Sequence, residues 1–169
     1  MAEDPLYPLH PPIRRTLAQA VERLKAQGHQ VIPLSVHDCH TADATEVSWE
    51  LFTLAPETTL GYINSSGEPM VPSVAKNCGP ANAGQYKFVP DLSKLDRLHK
   101  MAALNVKRQE ICDDWRKIWQ EKHLDAVIGP SAQNTAVPHD TFGWPPYTVL
   151  LNVLDVSAGP NKHQEKCMD

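Results

Sequence analysis

The sequence contains no hydrophobic run that approaches the roughly 20 residues needed for a membrane-spanning helix. Residues 1–5 lack both the basic and the apolar regions of a secretory signal peptide. No cluster of lysine and arginine with interleaved aromatic side chains occurs, and the net charge is −4. The four cysteines are irregularly spaced, which favours reduced thiols. These absences predict a cytoplasmic globular protein that binds neither membranes nor nucleic acids.

Proline, by contrast, is abundant, with 15 residues in a chain of 169. This is nearly twice the average share of roughly 5%. The prolines cluster in residues 5–12, 69–90 and 130–146, which predicts loops or extended connectors in these segments and helices between them. The length of 169 residues and the hydrophobic content of 41% predict a globular protein that is one domain or part of one.

The spacing of apolar residues predicts several helices. The first begins at Pro11-Pro12 and is ended by Gly28. A second covers about 43–54 and is ended by Pro56, and residues 57–63 form another helical turn or two. The longest covers about 93–123, and its apolar residues recur at intervals of three and four. They are Leu95, Leu98, Ala102, Leu104, Ile111, Trp115, Ile118 and Trp119.

Two short segments have the apolar, β-branched character of buried strands, Val31–Leu34 and Asp125–Ile128. They predict an α/β fold in which helices pack on a small mixed or parallel sheet. A two-stranded sheet is not stable alone and leaves its edges unpaired. We therefore expect that a protein partner binds at the open sheet edge. The predicted domain covers residues 1–160, and residues 161–169 form a polar tail.

Several phrases of the sequence resemble the amidase-signature family, and within it the fungal acetamidase-like branch. The matching residues are Thr135–Asp140, which read Thr-Ala-Val-Pro-His-Asp, then Tyr147-Thr148 and Asn152–Asp155. The Gly-Glu-Pro-x-x-Pro-Ser phrase within 67–73 is similar as well. In that family these phrases belong to the C-terminal half of the chain. The resemblance therefore implies a partial amidase fold, incomplete relative to the family.

The resemblance also implies which catalytic residues to look for. Enzymes of this family use a serine, a cis-serine and a lysine from the first half of their sequence, with the nucleophile near Gly-Ser-Ser-Gly-Gly. The one similar stretch here, Ser65-Ser66-Gly67, lacks the flanking glycines, and we expect a turn there. The chain is thus predicted to be a truncated amidase-like protein that is inactive alone and that binds a small amide or acyl ligand at most.

Two alternatives remain open at the level of sequence. The chain could be a repurposed enzyme or an accessory protein of a fungal biosynthetic pathway, with His139 or His37 as the acid or base. It could also be a binding module that completes a split amidase. The weak catalytic candidates are His139 and Asp140, because histidine exchanges protons near neutral pH and a carboxylate can orient it. The simpler interpretation is a turn fixed by Pro138.

Other groups of reactive residues lack the context that their chemistry requires. His37–His40 reads His-Asp-Cys-His, but a structural zinc site needs a second pair of ligands, and Cys78, Cys112 and His123 are scattered. We therefore predict no metal and no cofactor. Ser73 and Lys76 have the Ser-x-x-Lys spacing of penicillin-recognising enzymes without their other motifs. Cys39 or Cys78 could act as a nucleophile on composition alone.

Overall fold

The computed structural model describes residues 1–72, 91–141 and 145–156. Their helices are α1 (Pro11–Ala26), α2 (Val36–Cys39), α3 (Thr41–Phe52), α4 (Pro56–Ser65), α5 (Arg97–Glu121) and α6 (Pro146–Leu154). No β-strand occurs in the described residues. Across these same residues, no helix is both long and apolar enough to cross a membrane. The predicted polar tail, 161–169, lies outside the described part of the chain.

The predicted α/β fold with a small sheet is wrong, because neither predicted strand forms. Val31–Leu34 is irregular, and Leu34 enters the core from a loop with 5% of its surface exposed. Asp125–Ile128 is also irregular, and Val127 packs against the core. The carbonyl of Ile128 accepts a hydrogen bond from the nitrogen of Met1 at 2.8 Å, not from a neighbouring strand. Short apolar runs look alike in strands and in buried loops, so the pattern did not separate them.

Helix α1 begins and ends where the sequence predicts. Pro11 occupies the first helical turn, where its missing N–H is not needed. Gly28 has a φ of 88°, and its N–H donates to the carbonyl of Lys25 while the N–H of His29 donates to Leu24. This pair of bonds is a Schellman motif, which favours glycine at the left-handed position. The apolar stripe of α1 is only partly covered, because none of its residues is fully buried.

The core forms where α3, α5 and α6 pack against one another. Helix α3 ends at Phe52, two residues before the predicted end, and Pro56 begins α4. The buried cluster takes side chains from α2, α3, α5 and α6 and from the loop before α2. Its members are Leu34, Cys39, Ala44, Val47, Ile111, Trp115, Leu150 and Val153.

The long helix α5 buries only part of its predicted apolar stripe. Leu104, Ile111 and Trp115 are buried, as the spacing predicts. Leu98 and Trp119, in contrast, are 67% and 41% exposed. Helix α5 is therefore fixed to the core through its central turns and leaves apolar side chains near both ends on the surface.

Candidate functional site: a cleft beside the α2–α3 junction

A cleft of about 410 Å³ lies between the N-terminal segment and the junction of α2 and α3. Its polar lining comes from Asp4 on one side and from His37, His40, Thr41 and Asp43 on the other. The N-terminal segment is held close to the 128–133 loop, since the N–H of His10 donates to the carbonyl of Gln133 at 2.8 Å. The cleft has the size of a small-molecule site and brings together residues that are distant in sequence.

His40 is a largely buried titratable side chain in this cleft. It lies between α2 and α3 with a φ of 52°, and its side chain is 11% exposed. Its Nδ1 lies 3.2 Å from Oδ2 of Asp43, and its Nε2 lies 3.4 Å from Oδ2 of Asp114 on α5. Both ring nitrogens therefore face carboxylates. This arrangement connects α5 to the start of α3 and fixes the orientation of the ring.

The carboxyl group of Asp43 is electrostatically favoured in its ionised form. The hydrogen bond with His40 lowers the pKa of Asp43, and partial burial opposes this effect without overcoming it. The carboxylate therefore stays charged well into the acidic range. Together with Asp4, it gives the cleft a negative lining.

The His37–His40 segment is organised as a short capped helix. The N–H of Asp38 donates to Oγ of Ser35 at 3.1 Å, and the N–H of Ser35 donates to Oδ2 of Asp38 at 2.9 Å. This reciprocal pair is a capping box. The rings of His37 and His40 lie 5.7 Å apart. Within the described residues, no group of three or more His, Cys, Asp and Glu side chains could hold a metal ion.

Cys39, a nucleophile candidate, lies in the core instead of the cleft. Its side chain is 1% exposed, and burial raises the pKa of its thiol. A buried thiol with a raised pKa is a poor nucleophile, since the thiolate is the reactive form. The structure therefore argues against catalysis by Cys39. The other candidates of this kind, Ser73, Lys76 and Cys78, lie outside the described residues.

The Ser65-Ser66-Gly67 stretch forms the predicted turn at the end of α4. Oγ of Ser65 donates to the carbonyl of Tyr62 at 2.9 Å, and Oγ of Ser66 donates to that of Ile63 at 2.7 Å. Gly67 follows with a φ of 71°. Both hydroxyls are thus used to satisfy carbonyls of the last helical turn, and the sequence prediction for this stretch is confirmed.

His139 and Asp140 lie in an exposed turn, away from the cleft lining. The N–H of Thr141 donates to the carbonyl of Pro138 at 3.2 Å, and Oγ1 of Thr141 donates to the same oxygen at 2.6 Å. Asp140 has a φ of 60°, as the third residue of a type II turn requires. The geometry is that of a turn starting at Pro138. A chemical role for His139 and Asp140 stays a prediction.

The residue that holds the N-terminal side of the cleft is Tyr147, which sequence reasoning did not select. Its hydroxyl accepts a hydrogen bond from the N–H of Asp4 at 3.0 Å and donates one to the carbonyl of Tyr7 at 2.8 Å. The side chain is 2% exposed, and burial raises the pKa of the phenol, so the donor proton is retained. The Tyr147-Thr148 phrase was visible in the sequence, but nothing local indicated contacts more than a hundred residues away.

Replacing Tyr147 with phenylalanine is expected to lower the free energy of unfolding by about 2 kcal/mol, since it leaves a buried N–H without its acceptor. Chemical denaturation followed by circular dichroism measures this change. Tyr62→Phe is the matched control, because Tyr62 is 74% exposed, and we expect a change of no more than about 0.5 kcal/mol. Equal stability of the two variants would contradict the assigned role of Tyr147.

The chain is similar to fungal amidases over nearly its whole length. It is 30% identical over 171 residues to an amidase of Gibberella moniliformis, a match that covers 99% of this chain and 31% of the relative. It is 30% identical to an acetamidase of Aspergillus oryzae, and this match covers 95% of this chain and 29% of the relative. An acetamidase of Emericella nidulans is 28% identical, and this match covers 88% of this chain and 26% of the relative. No family model and no solved structure matches the chain.

The relatives that the chain matches over nearly all of its own length are amidases and acetamidases. The chain is homologous to part of the fungal amidases and acetamidases, so the resemblance carried by the sequence motifs is confirmed. It spans about 30% of the length of the relatives that it matches.

Proposed function

We propose that these 169 residues are a non-catalytic segment of the amidase family that hydrolyses no amide by itself. The proposal rests on the surroundings of the three nucleophile candidates within the described residues. The hydroxyls of Ser65 and Ser66 are bonded to their own helix, and Cys39 is buried with a raised thiol pKa. A nucleophile is activated by an adjacent base or by a lowered pKa. The two serine hydroxyls donate to backbone carbonyls instead of to a base, and the pKa of the Cys39 thiol is raised, not lowered.

The role that fits this geometry is structural support for a binding pocket. The cleft and the turn at Pro138–Thr141 provide polar side chains on a helical scaffold, and the scaffold is fixed by a well-packed core. In a longer amidase-type protein, such a segment positions a ligand while another segment attacks it. The ligand class expected from the relatives' names is a small carboxylic amide such as acetamide.

The purified full chain is expected to release no ammonia from acetamide and to form no adduct with a fluorophosphonate probe. Intact mass spectrometry detects the adduct, and a serine hydrolase of known activity serves as the positive control. The Ser66→Ala variant is the internal control, and its trace should match that of the parent chain. A serine adduct, or ammonia release that a serine or cysteine substitution removes, would overturn the proposal.

A second candidate function is docking to the remaining portion of an amidase-type protein. The partner site predicted at a sheet edge does not apply, since the described residues form no sheet. Exposed apolar side chains of α5 favour a helical contact instead, with Leu98 and Val106 exposed by 67% and 61%. Repeating the ammonia assay after co-expression with the N-terminal half of a fungal amidase separates the two candidates. Activity that appears only in the co-expressed sample supports docking.

A further inference from the structure

Arg108 is a charged residue on the core-facing side of α5. Leu104, Ile111 and Cys112 lie three or four residues from it along the same helix face, and all three are buried. Arg108 is itself half-buried. No aspartate or glutamate stands three or four residues away in either direction. Helix α5 therefore gives this guanidinium no carboxylate partner of its own.

The other described helices and loops do not supply an ion-pair partner for Arg108 either. Arg14, Arg97 and Arg116 each pair with a carboxylate, although all three are exposed. A half-buried charge needs compensation more than an exposed one does, because it has lost part of its hydration. Arg108 therefore favours an anion beside it.

A crevice of about 80 Å³ opens beside Arg108, where α3, α5 and α6 meet. Its lining combines one positive charge with an apolar wall and two neutral polar side chains. The residues are Ser48, Leu51, Phe52, Arg108, Asn152 and Val153. This lining contains no carboxylate, so its charge is positive. The volume leaves room for a ligand of a few non-hydrogen atoms.

The two neutral polar side chains of the crevice add hydrogen-bond donors. Ser48 is 3% exposed, and within the described residues its hydroxyl takes part in no hydrogen bond. By contrast, Oγ1 of Thr45, three residues earlier on α3, donates to the carbonyl of Thr41 at 2.7 Å. Asn152 is exposed, and its amide nitrogen carries two N–H donors. Together with the guanidinium, these groups suit a negatively charged group that accepts several hydrogen bonds.

We propose that this crevice binds a small monocarboxylate with a short alkyl chain. The planar guanidinium of Arg108 matches the two oxygens of a carboxylate, and Ser48 and Asn152 donate to the same oxygens. The alkyl chain contacts the apolar wall, whose size limits it to a few carbon atoms. A cation would be repelled by Arg108, and a neutral ligand would leave its charge uncompensated. This binding activity goes beyond the proposed function, because the ligand is an anion and the site is not the cleft beside the α2–α3 junction.

A titration of the ¹⁵N-labelled full chain with sodium propionate, at constant ionic strength, tests the proposal by NMR. Saturable shifts are expected for the amides of Ser48, Arg108 and Asn152, with a dissociation constant on the order of 1 mM for so small a ligand. Propionamide and n-propylammonium have a similar shape but no negative charge, and they should cause no saturable shift at these positions. The absence of saturable shifts with propionate, or an equal response to either control probe, overturns the proposal.

Two variants separate binding from folding. Arg108→Gln removes the charge and is expected to weaken propionate binding about tenfold or more, because a charge-assisted contact is lost. Ser48→Ala removes one neutral donor, so we expect binding to weaken about threefold while the fold is retained. Arg15→Gln is the matched control, since it makes the same change of charge at an exposed position of α1 outside the crevice, and it should bind as the parent does.

Circular dichroism first establishes that each variant has the helix content of the parent. If Arg108→Gln does not fold, Ser48→Ala is compared with the parent and with Arg15→Gln. Unchanged affinity in the folded crevice variants, or equal weakening in Arg15→Gln, refutes the assignment of the carboxylate to this crevice.

Discussion

Replacing Leu150 with alanine is expected to lower the free energy of unfolding by about 2–5 kcal/mol. Leu150 is on α6, has no exposed surface, and belongs to the cluster where α3, α5 and α6 meet. The substitution removes buried methyl groups and leaves a cavity between three helices that cannot all move to fill it. Urea denaturation, followed by the helical signal in circular dichroism, gives the change.

The matched control for this experiment is Leu98→Ala on α5. Leu98 is 67% exposed, so the same chemical change removes little buried surface and should cost less than about 0.5 kcal/mol. Comparable losses in the two variants would mean that α6 is not packed in the core as described. A lower denaturant midpoint only in Leu150→Ala confirms the position of this helix.

Replacing Trp115 with phenylalanine is expected to cost about 2–4 kcal/mol, from a cavity together with a lost hydrogen bond. The indole is 7% exposed, and its Nε1 donates to the carbonyl of Cys39 at 3.2 Å. Phenylalanine fills part of the space but cannot donate to this carbonyl at the end of α2. The contact between α2 and α5 should therefore loosen, and chemical denaturation measures the loss.

Trp119→Phe makes the same substitution one turn further along α5. Trp119 is 41% exposed, so we expect a change of less than about 1 kcal/mol. Trp115 is also more shielded from solvent than Trp119. We therefore expect Trp115→Phe, but not Trp119→Phe, to lose the fluorescence contribution of the more shielded tryptophan. A larger loss of stability in Trp119→Phe would contradict the orientation of α5.

Features of the chain that depend on a few neighbouring residues were predictable from the sequence. Pro11 and Gly28 identified both ends of α1, because a first-turn proline and a left-handed glycine act locally. The Ser65–Gly67 turn was predictable for the same reason. Periodicity also located α5, although it could not show which part of the apolar stripe is covered, since that depends on where α3 and α6 lie.

Features that depend on distant residues were missed or wrongly predicted. Asp125–Ile128 has the composition of a strand, but a strand requires a neighbour, and its last carbonyl instead accepts a hydrogen bond from Met1. The cleft combines Asp4 with Thr41 and Asp43. No local signal relates the N-terminal segment to the start of α3 or to Tyr147. The sequence therefore predicts His139 as a catalytic candidate and does not predict the position of His40 in the cleft.

The two hydrogen bonds of Tyr147 also bear on the order in which the chain folds. They connect Tyr147 to Asp4 and Tyr7 across separations of 143 and 140 residues. During synthesis, more than a hundred further residues therefore follow the segment that forms one wall of the cleft before its anchoring side chain emerges. Contacts of such long sequence separation slow folding, because a large loop must close before they form. We expect the helices to form first and the cleft to close last.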